Sequence, residues 1–534
     1  MPSSSSVAPP PSSTATHSSA TEHHDLAGLG YEQQLHRGVG RFASFAAGFS
    51  FVSILTTVFQ LFGLGFSFGG AAFFWTWPIV FAGQLLVALC FSELAARYPI
   101  SGSIFQWSSR LAGTTFGWFT GWVMVIGQVL TVAAAAIALQ AVLPAIWTGF
   151  QLVGGPKADS APLSATGAQN AVVLGIVLLV VTTVINVIGV RLMAVITSAG
   201  VAIEILGVIA LVIALFFRAE RSPAIVNTTT GFDPSLGAYL PAFIVSSVMA
   251  AYVMVGFDSA GELSEETHAP RHTTPRTIIR ALVVSGIGGL LLILAGLVAA
   301  PSLTDGSLVS GGFASILPAR LGEVGGRILL VAVAIAVAVC TLAVQTSASR
   351  MLFSMARERT LPFSNVLGKV STRTGTPIAT TVVVGVGAAI ALAVNWNASS
   401  VFLALSSLCI GMLYLAYLGV TVPLLVKRLR GGLPSGTDEL GKPLFSLGKA
   451  GIVVNAIAIV YQVAMAVNLL WPRAAVYDPA GEGWVLQWSA PLFVLLVLLV
   501  GAVVHWRNRV RHGGVVVLGA LHHSAEPLDS PAAS

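Results

Sequence analysis

The 534-residue chain is short of charge: Asp, Glu, Lys and Arg together make up 9% of it. Soluble domains carry about 25%, so a charged, water-facing surface is excluded for most of this molecule. Cysteine is scarce as well. Cys90, Cys340 and Cys409 all fall inside apolar runs, which excludes a disulfide framework and any CxxC-type metal site. No GxxxxGK[ST] phosphate loop occurs and no long polar stretch could house a separate ATPase; both argue against a nucleotide-driven machine. The leading segment is polar and lacks the apolar stretch of a cleavable signal. No Lys or Arg stands in the middle of an apolar run.

Apolar length is abundant instead. Hydrophobic residues make up 55% of the chain, with a mean hydropathy of +0.86. A hydrocarbon layer of roughly 30 Å takes about 20 apolar residues in a helix. Twelve such runs are present, at about 42–65, 72–95, 114–144, 169–190, 192–217, 238–260, 277–301, 325–350, 377–395, 399–426, 448–470 and 483–506. The third is long enough to begin as an interfacial helix, and the join between the fourth and fifth is punctuated only by Arg191. This predicts an all-α, twelve-span membrane protein. A Ser-, Thr-, Pro- and His-rich tail at 1–30 and a second tail at 512–534 flank it. The composition of the first suits disorder, and His17, His23 and His24 read as part of that solvated tail rather than a metal site.

Positive charge tests this span count. In membrane proteins Lys and Arg gather on the cytoplasmic side. With an inside N-terminus, only Lys157, Arg218, Arg221, Arg320, Arg327 and Arg473 fall outside, leaving 21 of the 27 basic residues inside. A wrong count would scramble that partition, so both termini are expected to be cytoplasmic. The net charge of +6 is then a bias toward an anionic leaflet, and no nucleic acid is needed to explain it.

Two runs carry an interruption signal in matching places. The first contains Ala47-Gly48-Phe49-Ser50, and the sixth contains Val255-Gly256-Phe257-Asp258. Glycine costs a helix about 1 kcal/mol relative to alanine, and backbone freed in lipid must find partners within the protein. Paired breaks at corresponding positions are the best pointer to a solute site: half-helix N-termini face an anion and unwound carbonyls face a cation. Close helix packing is the competing reading of both glycines.

Acids within the spans mark further candidates. Glu204 lies near the centre of the fifth run; a carboxylate there costs at least about 2.5–3.5 kcal/mol. It suits proton coupling, a cation ligand or a helix-packing bond. Asp258 suits either a solute contact or a helix cap, with Ser259 and Glu262 spaced for a capping box. Thr341, Thr346 and Ser347 in the eighth run offer hard oxygen donors for a small cation, unless they bond back to their own helix. Glu93 reads as interfacial. His505 and His512, beside Trp506 and Arg507, read as interfacial anchors.

Four stretches resemble the amino acid–polyamine–organocation permeases, in the amino acid/choline transporter branch. The run Gly256–Thr267 with Pro270, Pro275 and Arg276 resembles the consensus after span 6. Glu93-Leu94-Ala95 with Pro99, Ser101-Gly102-Ser103 and Gln106-Trp107 resembles the segment after span 2. Ala356–Arg359 with Leu361-Pro362 and Thr376-Pro377 resembles the loop after span 8, and Gly411, Tyr414, Tyr417 and Pro423 resemble span 10.

The resemblance implies an inverted-repeat core of five plus five helices at 31–430, with helices 1 and 6 discontinuous, and two peripheral helices at 431–511. It implies alternating access by one bundle rocking against a scaffold. Carried over by position, Ala47, Gly48, Phe49 and Ser50 would offer backbone to a substrate carboxylate. Tyr252, Val253 and Val255 would meet its amine beside Gly256, and Phe257 would be an aromatic gate. Some proton-coupled relatives carry a lysine near the position of Glu204, so the departure here leaves the coupling ion open between H+ and Na+.

The expected function is secondary transport of an amino acid or related amine in the cell membrane, with no cofactor and no metal. Choline, ethanolamine or a polyamine is the alternative, because an acid without a base tolerates a cationic solute. A non-transporting membrane sensor would need a signalling domain, and an enzyme would need a catalytic cluster; the sequence shows neither.

Overall fold

The computed structural model describes residues 33–512 apart from 163, 397–400, 432, 434, 435, 439, 440, 479, 480 and 482, together with Leu26, Leu29 and Tyr31. The expected tails lie almost wholly outside the described residues. Among those residues the chain is all α-helix, with isolated bridges but no strand.

Helices stand where the apolar runs predict them. They are α1 (Arg41–Val52), α2 (Ile54–Gly69), α3 (Thr76–Arg97), α4 (Ser103–Ala112), α5 (Thr114–Ile137), α6 (Ala165–Ile188) and α7 (Val190–Phe216), then α8 (Tyr239–Val253), α9 (Ser259–Glu262) and α10 (Pro270–Ala299). The long α11 (Ile316–Arg357) kinks at Gly322 (φ 72°), and the other long helices that follow among the described residues are α12 (Ile378–Ala393), α13 (Val401–Leu429), α14 (Gly451–Leu470) and α15 (Ser489–His512). Among the described residues, ten helical stretches are long and apolar enough to cross a membrane, and the first of these, Arg41–Arg97, contains α1, α2 and α3. The sixth apolar run falls below that length because α8 ends after 15 residues. The third run differs from expectation: its surplus length is a short helix at its far end, Leu139–Ile146, and not an interfacial start.

Packing sets out two groups of helices. α2 lies against α8 and α3 against α10, while α5 packs on α13 and α7 on α11. α1 touches α10 on one side and α7 and α11 on the other, which places it between the groups. Valines and isoleucines on the outer face of α6, including Val177, Val180, Val184 and Ile188, are half exposed or more. An exposed apolar stripe of that length suits lipid, not water.

The two ends of the bundle differ in how they hold charge. At one end Glu266 pairs with Arg350 at 3.0 Å with both side chains fully buried, and Glu265 pairs with Arg357 at 2.8 Å. Glu93 lies at this end as well. It is buried, bonded to Arg97 at 3.0 Å and to Arg428, because a buried carboxylate requires compensation. Segment 38–39 joins this end through bonds from the Gly38 and Val39 amides to the Glu266 carbonyl. At the other end, the Arg320–Glu220 and Arg327–Glu323 pairs involve glutamates more than half exposed.

Candidate functional site

The first run does break, but not at Gly48. Ala47, Gly48, Phe49 and Ser50 all lie inside α1, and the break falls at Ser53 (φ 33°, ψ 91°). Gly48 is a packing residue: a Cβ there would meet Ala281 and Ala260 at 3.4 and 3.7 Å. Ala47 and Phe49 are buried, and Phe49 lies 5.6 Å from the Phe45 ring. The Ser50 hydroxyl is buried without a partner among the described residues.

Glu204 explains why Ser53 can leave the helix. The opening amides of a helix need acceptors, and the Leu55 N–H of α2 donates to Glu204 Oε1 at 3.1 Å. The Ser53 hydroxyl donates to the same oxygen at 2.9 Å and lies 2.6 Å from Thr56 Oγ1. Thr57 returns a bond to the Ser53 carbonyl at 2.7 Å. Local hydroxyls compete with the helix ladder, and a carboxylate at a positive helix end is stabilising. Glu204 is thus a cap supplied by another helix, α7, and it is buried.

The second break spans Met254 to Asp258, between α8 and α9, and turns on Gly256 (φ 88°). A side chain at 256 would be excluded twice: its φ is left-handed, and its Cβ would lie 1.7 Å from the Phe51 ring. Phe51 stands two residues before Ser53, so the two breaks touch. The Ser259 hydroxyl adds a bond to the Ala47 carbonyl at 3.3 Å. Among the described residues nothing donates to the carbonyls of Val253 and Val255, and the Phe257 amide has no acceptor. Tyr252 is buried at the end of α8.

Asp258 is no cap, and the expected capping box does not form. Its side chain makes no capping bond, and Glu262 accepts instead from Ser103 at 2.9 Å. The Tyr417 hydroxyl donates to Asp258 Oδ1 and accepts the Gly256 amide at 2.9 Å. Asp258 Oδ2 is buried and has no partner among the described residues. Phe257 is fully buried, 5.5 Å from the Tyr417 ring and 6.0 Å from Phe91.

The hydroxyls of α11 do not gather with Glu204. Thr341 bonds back to Val337, and Thr346 bonds to Leu342 and to Asn186 at 2.6 Å. Ser347 accepts from Gln128 at 3.1 Å. Cys340 is the α11 residue at the break, its thiol 3.7 Å from the Phe51 carbonyl. Six residues along a helix is about 9 Å, which keeps Thr346 away. Ser53 was absent from the residues singled out by sequence, and Tyr417 was noted there only as part of the span-10 resemblance, with no site role. Ser53 carried little signal, since it stands inside the first apolar run and not before one.

The amino acid permease family matches residues 39–503 of the chain. The chain belongs to that family. It is an amino acid–polyamine–organocation permease, a transporter of amino acids or related substrates, and not an enzyme. Among its relatives, amino-acid permease BAT1 of Arabidopsis thaliana is 30% identical, over 84% of this chain and 87% of the relative. Amino-acid permease 2 of Neurospora crassa is 25% identical over 96% and 92%. The thiamine transporter thi9 of Schizosaccharomyces pombe is 25% identical over 91% and 86%.

Proposed function

We propose that this permease moves an amino acid or related amine across the cell membrane by alternating access, coupled to a cation, with H+ favoured over Na+. The reading takes the molecule as twelve spans with both termini cytoplasmic. Its core at 31–430 is a five-plus-five inverted repeat whose helices 1 and 6 are α1–α2 and α8–α9. The observation that carries it is the contact between the two breaks, Phe51 against Gly256. Free carbonyls and an unpaired carboxylate oxygen beside that contact suit a substrate amine, while the Phe257 amide suits its carboxylate.

The geometry supports coupling through Glu204. Its one oxygen holds both the break residue Ser53 and the first turn of α2. Proton uptake would neutralise the charge that the helix end stabilises and loosen the break. The α11 hydroxyls support a sodium site less well, being committed to other bonds.

A cationic substrate is a second reading with its own observation: the breaks present Glu204 and Asp258, and the basic side chains at hand, such as Arg350 and Arg357, pair with glutamates at one end. A relative named for transport of thiamine, an organic cation, is compatible with that reading.

Purified protein in liposomes should accumulate labelled amino acid or amine under an imposed proton gradient. Glu204→Gln should abolish accumulation while leaving exchange or binding measurable. Gradient-driven uptake by Glu204→Gln equal to wild type would remove the coupling role, and strict ATP dependence would overturn secondary transport altogether.

A further inference from the structure

A cavity of about 580 Å³ lies away from the breaks, at the end of the bundle that holds the buried ion pairs. Three segments wall it: His36, Arg37 and Gly38 ahead of α1, the α6–α7 join from Ile188 to Leu192, and Arg373-Thr374 in the loop before α12. The segments are fitted to one another. The Thr376 hydroxyl bonds the Val187 carbonyl at 3.4 Å, Gly38 sits against Val190, and Gly375 leaves room for the His36 ring. The volume suits a headgroup-sized ligand.

The chemistry of the walls is one-sided. Arg37, Arg191 and Arg373 line the cavity with His36, and among the described residues no carboxylate lines it. Among the described residues, Arg191 and Arg373 have no ion-pair partner. The nearby Glu266 is committed to Arg350 and fully buried. Guanidinium forks match phosphate oxygens two at a time. The start of α7 adds to the positive field, since Gly189 supplies no side-chain cap.

The rim tells which phosphate. Ile188 and Leu192 are both exposed, at 55% and 37%, and Ile188 continues the apolar stripe of Val177, Val180 and Val184 on α6. A soluble anion has no use for such a rim, whereas a lipid would lay its acyl chain along it. We propose that this cavity binds the phosphate headgroup of an anionic phospholipid, which pins the segment entering α1 to the α6–α7 join and the α12 loop. Basic pockets between membrane helices are a known type of lipid site.

The test compares thermal midpoints of the full chain in nanodiscs of phosphatidylcholine alone and of phosphatidylcholine mixed with phosphatidylglycerol. Wild type should gain stability from phosphatidylglycerol, by mass action, and less so at high salt. Arg191→Gln with Arg373→Gln should lose that gain, each change weakening binding about fivefold and the pair about thirtyfold. Its midpoint in phosphatidylcholine alone should match wild type, which shows the variant is folded. Arg218→Gln, on the opposite face, should keep the gain. An equal gain in the double variant, or a loss in Arg218→Gln as large, would mean bulk charge and overturn the site. Glycerol phosphate added to phosphatidylcholine discs should give no gain; a full gain would overturn the lipid in favour of a soluble anion.

Discussion

The two breaks solve the same physical problem in opposite ways. At Ser53 the break residue's hydroxyl and the Leu55 amide are both taken up by Glu204 from α7, so that break is filled from within the protein. At Gly256 the one side chain that bonds the backbone among the described residues is the Tyr417 hydroxyl, and the Val253 and Val255 carbonyls, the Phe257 amide and Asp258 Oδ2 are left unmatched there. Backbone left open inside a membrane is costly unless a ligand visits it. On the proposed reading, the filled break is the place for control and the open one the place for substrate.

The largest effect is expected from closing the contact between them. Gly256→Ala would combine a left-handed φ with overlap on Phe51, for a cost of about 2–6 kcal/mol. Substrate binding should vanish in a thermal-shift assay while the protein still inserts in the membrane. Binding at wild-type strength would mean the breaks need not touch.

Next comes the open break. Asp258→Asn keeps an oxygen for the Tyr417 hydroxyl but removes the charge offered to an amine. A bond to a charged group contributes about 1.5–3 kcal/mol, so substrate Kd should rise about tenfold to a hundredfold. The loss should be the same at every imposed gradient, unlike that of Glu204→Gln, which should appear only in accumulation. If both variants lost binding alike, the division between the breaks would fail.

Much of this architecture was legible in the sequence because the length of an apolar run is set by the bilayer. α7 was expected at 192–217 and runs Val190–Phe216; α14 was expected at 448–470 and runs Gly451–Leu470. Gly256 was legible too, since its break is local. What stayed hidden depended on partners remote in sequence. The Ser53 break is made by a glutamate 151 residues away. The spacing Ser259 to Glu262 looked like a capping box because Ser103, 159 residues from Glu262, could not be seen to compete for it. Thr346 looked like an ion ligand until Asn186 was brought against it.

Gly48 gives the smallest expected effect and the sharpest contrast with Gly256. Both glycines sit in Gly-Phe pairs, yet Gly48 is helical and its added Cβ would find only ordinary contacts, with Ala281, Ala260 and the Phe257 carbonyl at 3.4–3.8 Å. Gly48→Ala removes a helix-weakening residue, so stability should hold or rise by up to about 1 kcal/mol. Substrate affinity and accumulation should stay at wild-type levels in the same liposomes. A loss of binding comparable to that of Gly256→Ala would return the α1 backbone at 47–50 to the substrate site, and with it the symmetry that the matching sequence pairs suggest.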